Sequence, residues 1–275
     1  MADSSLVNQL LNDLKGEDKH KARYAAFRLS QLEDDRVLNG LLDALHHKDA
    51  EVRAIVAQTL SSKGTAAIPA LTEALGDRSR NVRRAAARSL GMIGSPEVLT
   101  SLVGALLGDE NSFVRWEAAK ALGSITNASV VPELLEALSA DSNSYVRYAA
   151  AEALGTIGEP SAVDGLEDAL THDANDFVRY AAATALGQIG DASSAPILIR
   201  ALNNPNSHVW HAAAEALWSM EEHAMPALIA AIIDESSDTR RAALKGILWL
   251  SVEYDEEEAR ERSNDEWVTM WGWWN

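Results

Sequence analysis

The 275-residue chain contains no cysteine. A disulfide frame, a thiolate nucleophile and a cysteine-ligated metal are thereby excluded. Cations are scarce: 24 Lys and Arg stand against 41 Asp and Glu, for a formal net charge of −17. Nucleic-acid affinity depends largely on Lys and Arg neutralising phosphates, so no nucleic-acid partner is expected. No apolar run approaches the ~18 residues that a spanning helix needs, and no basic-then-apolar leader opens the chain. Neither membrane insertion nor secretion is expected, and a cytoplasmic setting is the simplest. Catalytic signatures are missing too. There is no G-x-S-x-G, no phosphate-gripping glycine loop and no His-Glu-x-x-His. Paired carboxylates such as Asp34/Asp35 and Glu221/Glu222 fall in turns or at helix ends, so a non-catalytic chain without cofactor is the expectation.

What the chain does have is repetition, and a fixed period is the first thing to read. Arg23, Arg53, Arg83, Arg115, Arg147, Arg179, Trp210 and Arg240 recur every 30 to 32 residues. The most regular copies are "FVRWEAAKALGSI", "YVRYAAAEALGTI" and "FVRYAAATALGQI". Each unit reads as a helix pair. The first helix carries patterns such as "IPALTEAL" and "VPELLEAL", with Pro near its start, where a missing N–H costs nothing. Four residues before most anchors stands an N-cap residue: Asp49, Ser79, Asn111, Asn143, Asn175, Asn206 or Ser236. The second helix carries a stripe exemplified by Val146, Ala150, Ala153, Leu154 and Ile157, at helical spacing. One pair cannot bury its stripe alone, so stacking is required. The expected fold is all-α: an α-solenoid of about eight helix-pair repeats over residues 1–251, followed by an acidic, Trp-rich cap or tail at 252–275.

Asp77, Asp109, Asp141, Asp173 and Asp234 each precede an Arg anchor by six residues. In the seventh unit that position is Asn204 and the anchor is Trp210. Acid and base vanish together, which predicts a structural Asp/Arg ladder within or between repeats. The glycines of the "ALG.IG" motif are expected as helix C-caps.

The "D…VR.AAA.ALG.IG" signature at 141–158 and 173–190 resembles the HEAT-like repeats of the phycobilisome-lyase class, over about nine-tenths of the chain. That resemblance implies the solenoid fold. It also implies a choice of roles: scaffold or adaptor, subunit of a bilin lyase, or phycobilisome-turnover protein, with a bilin or phycobiliprotein as partner. Deoxyhypusine hydroxylase, another protein with HEAT-like repeats, binds iron through His-Glu pairs. No His is followed by Glu here.

Helical geometry places positions −2, +1, +5 and +8 from the anchor opposite the stripe, on the expected concave face. This gives a candidate partner-binding row of Arg84, Arg88, Trp116, Lys120, Tyr148, Glu152 and Tyr180. Phe113, Tyr145 and Phe177 add aromatics at −2. Aromatics and Arg are the residues that interface hot spots favour. The seventh unit contributes His208, His211, Glu215 and Trp218. Two imidazoles and a carboxylate on one face admit a metal in principle, but partner contact is the stronger reading, and no metal is expected. The leading expectation is a scaffold, adaptor or assembly factor that grips a protein or peptide. Seven of the eight tryptophans fall at or after Trp210, and "DEWVTMWGWWN" closes the chain. The expectation there is a terminal cap, with a detachable docking peptide as the alternative.

Overall fold

The computed structural model describes residues 4–32, 35–220 and 223–251. The segment 252–275, expected as cap or tail, lies outside them. The described residues form eight helix pairs and no strand. The outer helices are α1 (Ser4–Lys15), α3 (Asp35–Ala44), α5 (Ile68–Ala74), α7 (Leu99–Gly108), α9 (Val131–Ala140), α11 (Val163–His172), α13 (Ala195–Ala201) and α15 (Met225–Ile232). The inner helices are α2 (Lys19–Ser30), α4 (Ala50–Leu60), α6 (Arg80–Ile93), α8 (Ser112–Ile125), α10 (Ser144–Ile157), α12 (Asp176–Ile189), α14 (Ser207–Ser219) and α16 (Ser237–Ser251).

The inner helices begin where the sequence puts their caps. Side-chain oxygens of Asp49, Asn111, Asn143, Asn175 and Asn206 accept the N–H two residues on, at 2.8–3.1 Å. Each satisfies one of the donors that a helix start leaves orphaned. Ser79 holds the cap position without that bond.

The first unit is shifted by one residue from the expected frame. Its cap is Asp18, so Ala22, which is fully buried, takes the anchor position. Arg23 points outward and meets Glu51 at 3.4 Å instead.

The Asp/Arg ladder runs between repeats. Arg53, Arg83, Arg115 and Arg147 each clasp the aspartate of the following unit: Asp77, Asp109, Asp141 and Asp173, at Nε–Oδ2 distances of 2.6–2.7 Å. A second bond from Nη2 to Oδ1 makes each pair bidentate. Arg83, Arg115 and Arg147 also donate Nη1 to the backbone carbonyl of their own unit's aspartate. Each aspartate accepts a backbone N–H two residues on as well. One guanidinium thus ties the turn of its own unit to the turn of the next.

The glycines of "ALG.IG" divide their duties. Gly94, Gly158 and Gly190 are left-handed C-caps with φ of 71°, 76° and 72°. The first glycine of each motif is not a cap. It is the point of closest approach between inner helices. A Cβ on Gly123 would lie 2.8 Å from the Ala153 Cβ, and Gly91, Gly155 and Gly187 meet Ala121, Ala185 and Ala216 in the same way.

Those contacts set the curvature. From α2 to α14 successive inner helices touch along their length, whereas successive outer helices barely meet. Recesses of about 440 Å³ between α9 and α11, and about 370 Å³ between α3 and α5, mark the loose side. A stack tight on one side and open on the other bends towards the tight side, which makes the inner-helix face concave.

Candidate functional site

The concave face begins with the aromatic row. Trp116, Tyr148 and Tyr180 occupy equivalent positions on α8, α10 and α12. They are half-buried and packed against the core, so they do not stand clear of it as helical geometry alone suggests. The reason is close stacking: neighbouring inner helices leave no room for a ring to project freely. Phe113, Tyr145 and Phe177, one turn nearer the N-terminus of each helix, are the exposed members. The row therefore has two tiers, a seated one and a protruding one.

Two of the +5 side chains serve the seated rings. Lys120 lies with Nζ 4.5 Å from the Trp116 ring centroid, a cation–π contact. Tyr148 donates its hydroxyl to Glu152 at 2.8 Å. Burial, reinforced by the neighbouring Glu152 carboxylate, pushes the Tyr148 phenol up to about 12. It remains a neutral hydrogen-bonding ring at any physiological pH. The expected outward position +8 is closed in the regular units, because it holds the glycines of helix contact.

Arg84 and Arg88 are exposed on α6. Sequence reasoning missed their neighbour Glu117, which is buried on α8. Burial raises its carboxyl, while Arg88, Lys120 and Arg84 pull it back down. The signal was there in the repeat column: Ala85, Ala149, Ala181, Ala212 and Ala242 hold the equivalent position. A glutamate in an alanine column, buried beside three cations, lowers the net charge of the basic end.

At the seventh unit both halves of the ladder pattern fail, but they belong to two different rungs. Arg179 faces Asn204 where its carboxylate partner would be. It turns to Asp176 of its own helix, and its Nε is left buried without a partner. Asp176 in turn accepts Asn206 Nδ2 at 2.7 Å, so the link to the next unit becomes a relay. Trp210 faces the place of the next rung, where Lys245 of α16 lies over its ring at 3.8 Å. Lys245 also donates to the Leu202 carbonyl at 2.8 Å, and burial lowers its ammonium to about 8. Asp234, the acid left behind, is exposed; its carboxylate accepts the Ser236 N–H and its backbone carbonyl accepts Arg240 Nη1. Solvation removes the penalty that a buried orphan would carry.

Trp218 explains the rest of the irregularity. It stands where units three to six have their contact glycine, and an indole cannot fit between stacked helices. The α16 helix accordingly meets α14 only at its edge and leans on α13 and α15. Trp218 is exposed in the opening, near one end of the concave face. His208 and Glu215 are also exposed, and His211 is half-buried. Burial lowers the His211 imidazole, and partial desolvation raises the Glu215 carboxyl. Both shifts favour the neutral forms. Among the described residues no three His, Asp or Glu side chains gather as a metal site, and no helix is long and apolar enough to cross a membrane.

The HEAT-repeat family model matches residues 38–123, 102–186 and 172–248. The chain belongs to the HEAT-repeat family. No curated protein matches it by sequence. Among solved structures it is similar to the Escherichia coli protein YibA, at 24% identity and a TM-score of 0.59, covering 80% of this chain and 83% of that one. It is also similar to the CpcE–CpcF complex of phycocyanin lyase from Nostoc sp. PCC7120: 22% identity, TM-score 0.48, 89% and 94% covered. Human deoxyhypusine hydroxylase matches at 24% identity with a TM-score of 0.42, covering 90% and 96%. These likenesses speak to the repeat fold alone.

Proposed function

We propose that this HEAT-repeat chain is a non-catalytic scaffold, adaptor or assembly factor that grips a protein segment along its concave face. The observation that carries the reading is the two-tiered aromatic row over three consecutive units. Seated rings at Trp116, Tyr148 and Tyr180 offer flat apolar floor with little entropy left to lose, and Phe113, Tyr145 and Phe177 form an exposed rim. An extended peptide or an amphipathic helix suits a row of this kind. Its charge code is graded, from Arg84, Arg88 and Lys120 at one end to Glu152 and Glu215 further along.

Replacing the seated rings together disturbs packing, so the cleaner test uses the rim. A Phe113→Ser, Tyr145→Ser, Phe177→Ser variant is expected to keep its melting temperature and to lose at least tenfold in affinity for a partner purified with the wild type. Unchanged affinity would refute the groove.

A second reading, handling of a bilin or phycobiliprotein, draws on the resemblance to the phycobilisome-lyase class and on Arg84 and Arg88 beside Trp116. Guanidinium groups pair well with propionates, but Glu117 in the same cluster offsets them, so the protein-binding reading stands ahead. Coexpression with a phycobiliprotein subunit and bilin tests it. Attached chromophore absorbance would favour it, and its persistent absence would remove it.

A further inference from the structure

The end of the stack carries an apolar face. In the first seven units the residue four beyond the anchor position is a buried alanine: Ala26, Ala57, Ala87, Ala119, Ala151, Ala183 and Ala214, none more than 1% exposed. That column is where the next unit stacks. In the eighth unit it holds Leu244, which is 50% exposed, and one turn on is Leu248 at 53%. Beside them, α15 and its end present Ile229 at 57% and Ile233 at 82%. Two pairs of branched side chains, each pair four residues apart, thus form parallel ridges on one face.

We propose that this face is the docking site of the chain's own Trp-rich segment, residues 267–274. Three observations select that occupant. First, the interfaces between units three and seven bring inner helices together through Ala and Gly, whereas Leu at both equivalent positions here holds a further repeat off. A second copy stacked head to tail would press Tyr24 and Arg28, at the outer end of the first unit, onto these leucines without any small residue to admit them. Second, α16 ends at Ser251, beside the face. The fifteen residues 252–266 span at most about 50 Å when extended, ample for a return. Trp267 and Trp271 are four apart, and if taken up in a helical turn they would match the ridges. Third, charge is complementary. The segment 252–266 carries eight acidic residues and two basic ones, whereas α16 bears the exposed Arg240 and Arg241, the latter 3.6 Å from Asp238.

The test is a double-mutant cycle on the full chain. Truncation after Ser263 is expected to lower the melting temperature of the wild type by about 3–6 °C, and to change a Leu244→Ser, Leu248→Ser variant by less than a third of that. Additive losses would overturn the proposal. Independently of stability, a photo-crosslinking residue at Trp271 is expected to mark α15 or α16 of the same molecule. Crosslinks to the concave row, between molecules, or to no part of the chain would each contradict it. The rim substitutions of the concave face leave both readouts untouched, so this proposal and the groove fail separately.

Discussion

Arg147 of the fifth unit clasps Asp173 of the sixth with two parallel bonds, Nε to Oδ2 at 2.7 Å and Nη2 to Oδ1 at 3.0 Å. Its Nη1 simultaneously holds the Asp141 carbonyl of its own turn at 2.9 Å. Four consecutive rungs of this design fix how far each unit rotates on the last. Removing one acid leaves a guanidinium poorly compensated in a mostly buried place. Asp141→Asn is therefore expected to cost roughly 2–3 kcal/mol, the scale of a lost charge-assisted pair. Chemical denaturation monitored by circular dichroism measures it. A loss below about 0.5 kcal/mol, as for surface pairs, would show the rung to be decorative.

Arg179 offers the converse experiment. Its Nε lacks an acceptor and Asn204 occupies the missing acid's place. Asn204→Asp is expected to complete a fifth rung and stabilise by about 1–2 kcal/mol. Asp176→Ala is expected to destabilise the wild type and to have much less effect in the Asn204→Asp background. Equal effects in both backgrounds would mean that Asp176 does not stand in for the missing carboxylate.

Gly123 sets the distance between α8 and α10. With a new methyl group meeting Ala153 at 2.8 Å, Gly123→Ala is expected to overpack the contact and cost about 1–3 kcal/mol. The same change at an exposed helix site would stabilise by up to about 1 kcal/mol. The sign measured in thermal unfolding therefore separates a contact glycine from a tolerated one.

The acid response is expected to differ between two buried carboxylates. Burial alone would raise Asp141, but its Arg115 pair and the Asn143 N–H hold it below its ordinary 3.8. Its contribution is present above pH 4 and is lost as pH falls through the folded value. Glu117 is raised above 4.5 by burial. Its penalty is absent below about pH 4.5 and grows as pH rises through the folded value. Glu117→Gln is thus expected to gain a few degrees in melting temperature at pH 7 and nothing at pH 4, whereas Asp141→Asn loses most at pH 7. Parallel pH profiles for the two variants would contradict these assignments.

The period, the caps and the helix pairs were legible because each rests on local spacing: an Asn four residues before an anchor acts within its own turn. The partner of each Arg was not legible, because a ladder within units and one between units leave the same column of residues. The paired change at Asn204 and Trp210 looked like one lost rung and is two, since each residue belongs to a different neighbour. Arg23 lies one residue off the anchor frame because the Arg pattern persists where the cap, Asp18, is shifted. The candidate row was legible as a set of positions, but which rings are seated and which protrude depends on helix separation, which Gly123 and Gly155 fix through partners one repeat away. Glu117 could have been found by reading its column downwards.

Whether the concave row grips a partner is decided by site-specific photo-crosslinking in the native host. A photo-reactive residue is placed in turn at Phe113, Tyr145 and Phe177, with Glu136 on the exposed outer side as control. The expected result is one common protein crosslinked from all three rim positions and not from Glu136. The same products from Glu136, or unrelated products from each rim position, would contradict it.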